Sequence, residues 1–86
     1  MADPVIVACP AEVWTKVATN VTAGLIHIKD NFGQWQQTYV DTGNPAPTGL
    51  TKGVKFTNPT MEISSSVGID VYVMPQGSAG SVRVDL

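Results

Sequence analysis

Ser81-Val82-Arg83-Val84-Asp85-Leu86 is the stretch that decides the fold class. Successive side chains of a strand point to opposite faces, so Val82, Val84 and Leu86 share one side and Ser81, Arg83 and Asp85 the other. A strand patterned this way lays one face on a core and the other in solvent, as antiparallel sheets do. Just upstream, Ile69-Asp70-Val71-Tyr72-Val73 alternates in the same register of two, and Gln76-Gly77-Ser78-Ala79-Gly80 between them reads as a flexible turn.

The same period runs back to the start of the chain. Val5-Ile6-Val7-Ala8-Cys9 is a short β-rich arm closed by Pro10. Val13, Thr15, Val17 and Thr19 then alternate with Trp14, Lys16, Ala18 and Asn20, giving one β-branched face and one mixed face. Asn20-Val21-Thr22, which matches a glycosylation sequon, reads as a turn, and Thr22-Ala23-Gly24 is expected to reverse the chain. Leu25-Ile26-His27-Ile28-Lys29 returns with Ile26 and Ile28 together, and Asp30-Asn31-Phe32-Gly33 carries turn chemistry. Gln34 to Val40 sets Trp35, Gln37 and Tyr39 opposite Gln36, Thr38 and Val40. A loop over 41–49 follows, where Pro45 and Pro47 remove ladder donors, and Val54-Lys55-Phe56 and Met61-Glu62-Ile63-Ser64 are short strands beyond it. No helical period of useful length interrupts this. The expected fold is all-β, a small antiparallel β-sandwich or barrel of about seven to eight short strands. Residues 1–10 form an N-terminal arm or edge strand and 11–86 a single sandwich domain.

At 86 residues the chain has room for one core only, and domains of this size are marginal. The single Cys9 cannot form an internal disulfide and the single His27 cannot build a zinc site, so the domain packs unaided or assembles. Only 14% of residues are charged, against about a quarter in soluble domains, and depletion of charge marks surfaces that become covered. A net charge of −2 without a basic run argues against nucleic acid as a partner. No apolar run approaches the roughly 20 residues of a membrane span, and Asp3 stands where a signal peptide needs basic residues. The sequence therefore reads as made in the cytoplasm.

Groups for chemistry are sparse. His27 alternates with Ile26 and Ile28 and so faces away from their apolar side, as an ordinary surface or interface histidine. Cys9 lies in an apolar arm and reads as a buried structural thiol. Asp30, Asn31 and Asp41 offer oxygens at a spacing that fits no calcium loop, and no phosphate loop or nucleophile elbow occurs. The expectation is a protein that is not an enzyme and takes no cofactor or metal. Trp14, Trp35, Tyr39 and Tyr72 could form a sugar-stacking platform, although core or subunit interface is the commoner use of large aromatics. The stiff elements are the best contact candidates, because they lose less entropy on docking. The candidate interface residues are Val5, Ile6, Val7, Pro10, Trp35, Tyr39, Pro45 and Pro47.

The stretch from Glu12 to Gly24, the segment Tyr39-Val40-Asp41-Thr42-Gly43, and the endings Ser65 to Val73 and Gly80 to Leu86 resemble small virion structural proteins of tailed bacteriophages, of head decoration (cement) or head fibre type. The similarity spans most of the chain from residue 12 onward and lies in strands and turns. It implies a protein on the outer surface of the capsid, bound to the major capsid protein, made in the host cytoplasm and assembled as a homo-oligomer, a dimer or trimer. A fibre-type host-attachment module that binds carbohydrate, and a tail or connector protein, are the alternative roles.

Overall fold

The computed structural model describes residues 4–29, 35–47 and 60–86, with the backbone of 54–55. These residues contain no helix and form one antiparallel sheet. Its strands are β1 (Val5–Cys9), β2 (Thr15–Ile28), β3 (Trp35–Asp41), the two-residue β4 (Val54–Lys55), β5 (Thr60–Pro75) and β6 (Gly80–Asp85). The spatial order is β1-β6-β2-β5-β3-β4.

The described strands are fewer and longer than the sequence suggests, because β2 and β5 each take in two of the expected short strands. Thr22-Ala23-Gly24 does not reverse the chain but lies inside the 14-residue β2. Asn20 is likewise within β2, in a left-handed conformation at φ 51°. That residue belongs to a series of bulges, where the pairing of β2 with β5 slips between Lys16 and Ala18, between Ala18 and Val21, and between Val21 and Ala23. At the last slip β2 advances two residues, from Val21 to Ala23, while β5 runs five, from Ile69 to Ser64. The surplus on β5 is Ser65 to Gly68, where the Ser65 hydroxyl bonds the Val67 carbonyl at 2.7 Å and accepts the Val67 amide at 3.2 Å. Bulges bend strands and sharpen their twist, so this is where the sheet turns a corner. Gly68 leaves room there for the side-chain amide oxygen of Asn20, which would have to move if the residue carried a Cβ.

The corner divides the pairing in two. On one side, residues 23–28 of β2 lie between β6 and the 60–64 part of β5, with β1 beyond β6. On the other, residues 15–21 of β2 pair with the 69–73 part of β5, which β3 flanks. The core fills the bend: Ile26, Ile28, Val82, Val84 and Ile63 from one side join Ala18, Ile69, Val71, Val73 and Trp35 from the other in one buried cluster, which also includes Cys9. The alternation read in β6 places Val82 and Val84 inside and Arg83 outside. In β5 the alternation hides something, because Ile69 to Pro75 are buried on both faces. Glu12, at φ 57° in the turn after Pro10, donates its amide to the Pro75 carbonyl at 2.7 Å and ties the exit of β1 to the end of β5.

Candidate interaction surface

Three polar or apolar features emerge from this fold, and the first is a buried carboxylate. Asp70 is only 3% exposed although the period of β5 would turn it outward. The bulge at Asn20 aims a backbone amide at it: Asn20 N–H donates to Asp70 Oδ1 at 2.9 Å, and the Thr42 hydroxyl donates to the same oxygen at 2.9 Å. Lys16 Nζ lies 3.7 Å from Oδ2 and 5.9 Å from the centre of the Tyr72 ring. The Asn20 amide bond is the largest influence on the carboxyl and holds its pKa below the ordinary value, with help from Thr42 and Lys16 and against the opposing push of burial. The fold therefore favours the ionised form. Stability from this group is complete above the ordinary carboxylate range and declines as pH falls through the lowered folded pKa. Denaturant midpoints measured between pH 6 and pH 2 are expected to fall on the acid side, and Asp70→Asn to flatten that limb while lowering the midpoint at neutral pH. An unchanged acid limb in the variant would remove Asp70 from the account.

The second feature is a polar row across three strands on the outer face. Cross-strand register aligns Ile6 with Arg83, Arg83 with His27, and His27 with Thr60. His27 Nε2 lies 3.1 Å from Asp85 Oδ2 and Nδ1 lies 3.1 Å from Thr60 Oγ1, while Arg83 Nε donates to Asp85 Oδ1 at 3.1 Å. The order hydroxyl, imidazole, carboxylate is that of a general-base relay. Here it lies along a strand surface, and the one described cleft is lined by none of its members. It sets the Arg83–Asp85 ion pair next to Ile6. Sequence reading missed this row because its members are 33 and 58 residues apart.

The third feature is apolar and comes in two parts. β1 has a strand neighbour on one side only among the described residues, β6. Val5 and Val7 pair with Val84 and Val82 on the core side, and Ile6 and Ala8 with Arg83 and Ser81 on the outer side. Val5 and Ile6 are each 56% exposed, Val7 is half-buried and Pro10 exposed. Natural sheet edges are usually blunted by a charge, a bulge or a proline within the strand, and β1 has none of these between Val5 and Cys9. The other part is a cleft of about 150 Å³ between β3 and β5, walled by Ile63, Ile69 and Val71, with Gln37, Glu62 and Ser64 at its polar margin. Sites for drug-sized ligands run from about 300 to 1,000 Å³, so this one suits a single side chain or one small ring. Tyr39 stands at its rim, 62% exposed.

The eight candidate interface residues do not converge. Val5, Ile6, Val7 and Pro10 belong to or adjoin β1, at one end of the strand order, and Tyr39 to β3, near the other. Pro45 is exposed and Pro47 half-buried in the loop leaving β3, where Asn44 donates its amide to the Asp41 carbonyl at 3.1 Å. Trp35 is 2% exposed in the core, so its ring is unavailable to a partner. The sugar platform is similarly reduced: Tyr72 is 4% exposed and Trp14 half-buried, which leaves Tyr39 as the one broadly exposed ring of the four. Asp30 and Asn31 lie outside the described residues, among which no group of His, Cys, Asp and Glu is arranged to hold a metal ion. No protein-family model, curated protein or solved structure matches the chain.

Proposed function

We propose that this chain is a structural virion protein, a capsid decoration (cement) protein that binds the outer surface of a tailed-phage head and bridges neighbouring major capsid subunits. The observation that carries the reading is β1, an uncharged sheet edge that leaves Val5 and Ile6 exposed. Such an edge offers main-chain hydrogen bonds and apolar contact to another chain, the ingredients of strand addition. The composition points the same way, with 14% charged residues and no internal crosslink in a domain of marginal size. The corner in β2 and β5 supports reading the bent sheet as the two layers of a small open sandwich, since strands commonly cross between layers at bulges. In this role the protein is not catalytic. It stabilises the assembled shell by mass action, because it binds the closed lattice and not its dissociated subunits.

Particles lacking the protein are expected to release DNA at a lower temperature, and purified protein added back to restore the original value. Equal release temperatures with and without it would refute the cement role. A second reading draws on Tyr39, an exposed residue that lines a cleft together with Gln37, Glu62 and Ser64. Aromatic faces with planar polar neighbours suit sugar rings, as in a host-attachment module. Binding on a glycan array that is lost in Tyr39→Ala favours this role, and a silent array removes it.

A further inference from the structure

We infer that β1 is a self-pairing strand: a second copy of this chain docks on it edge to edge, antiparallel, with the two-fold axis through Val7. The inference rests on reading β1 as an interface and names its occupant. Alternate residues of an edge strand point their N–H and C=O groups away from the sheet, and only another extended backbone satisfies that whole row at once.

Why the occupant is the same chain follows from the strand itself. Pro4 and Pro10 stand three residues either side of Val7, so a pairing centred there places all five residues of both copies in the ladder. Any shift in register brings a proline into the pairing, where it cannot donate. No charged residue lies between Pro4 and Pro10, so two copies meet without like-charge repulsion along the seam despite a net charge of −2 on each.

The side chains fit the same axis. Val5 points to the core side of the sheet yet is 56% exposed, and in this register it stands opposite the second copy's Cys9, which is itself buried on that side. Ile6, equally exposed on the outer side, stands opposite the second copy's Ala8, a small residue that leaves it room. The pairing thus covers the two large exposed apolar side chains of β1 in both copies. The arrangement is isologous and closes at two, which distinguishes it from a head-to-tail ring or fibre.

Two measurements test it. Residues facing each other across an antiparallel pair have Cα atoms about 4.5–5.5 Å apart, inside the disulfide range of about 4.4–6.8 Å. Val7→Cys in a Cys9→Ala background is therefore expected to give a covalent dimer on mild oxidation of the full chain. Val5→Cys in that background is expected to give none, since position 9 of the second copy, which it faces, no longer carries a thiol. The second measurement is sedimentation of the unmodified chain beside Ile6→Lys, whose exposed position leaves the core untouched. Each copy contributes the substitution once, so a tenfold weakening per copy becomes about a hundredfold on the dimer constant. A chain that stays monomeric at every concentration, a dimer indifferent to Ile6→Lys, or a trimer overturns the pairing. A Val7→Cys dimer alongside particles unaffected by loss of the protein would sustain the pairing and refute the cement role, so the two fail separately.

Discussion

Trp35→Ala is expected to remove a large share of the domain's stability. The ring is 2% exposed and belongs to the one buried cluster that joins the two sides of the corner. It enters at the first residue of β3, paired with Pro75 at the end of the fully buried stretch of β5. Truncating a buried tryptophan costs about 3–5 kcal/mol in lost transfer free energy and residual cavity. Against this stands a total stability of roughly 0.05–0.15 kcal/mol per residue, which small domains seldom exceed. The loss is therefore comparable with everything the domain has at the lower end of that range. Tyr39→Ala is the control, an aromatic on the same face of β3 but 62% exposed, and surface changes of that kind stay within about 0.5 kcal/mol. Urea titration followed by circular dichroism separates them. A Trp35→Ala midpoint close to that of the parent would show that the ring is not part of the core and return it to the interface candidates.

That pair also marks how far residue pattern reaches. Alternation puts Trp35, Gln37 and Tyr39 on one face of β3, and the structure keeps them there, against Pro75, Val73 and Val71. What alternation cannot supply is depth along the strand: Trp35 is 2% exposed and Tyr39, on the same face, 62%. The inward residues of β6, and Ile26 with Ile28 in β2, were legible because those stretches pair in unbroken register and have one covered face. The corner was not legible, since it depends on β2 and β5 accumulating surplus residues at matching places. A glycine after Thr22-Ala23 looks the same whether it turns a chain or lets another backbone approach. Asp70 escaped for a related reason, because only the bulge at Asn20 brings an amide to its carboxylate. At the candidate surface, β1 was visible as a stiff, β-rich arm bounded by Pro4 and Pro10. The His27 row required three strands in register before its partners could be seen.

Gly24→Val is expected to break the join between β2 and β6. A Cβ on Gly24 would stand 2.8 Å from Leu86 Cδ2 and 2.9 Å from the Asp85 carbonyl oxygen. The leucine tip can swing away, as it is 45% exposed. The carbonyl cannot, because it is backbone at Asp85, which pairs with Leu25 beside the glycine. Either the ladder opens or β2 shifts, and overpacking of this kind costs about 1–3 kcal/mol. A φ of +157° adds to the penalty for any residue with a Cβ. Gly43→Ala provides the contrast: at φ +96° it carries backbone strain, but nothing lies within 4 Å of its Cβ. The steric part of the Gly24 effect is then read by comparing Gly24→Ala with Gly24→Val, both judged against Gly43→Ala. Displacement of Asp85 also has a local reporter, since it holds His27 Nε2 at 3.1 Å. The His27 ring resonances should move in Gly24→Val and stay fixed in Gly43→Ala. A Gly24→Val chain with parental stability and an unmoved His27 ring would mean that β6 does not approach β2 as closely as the structure has it.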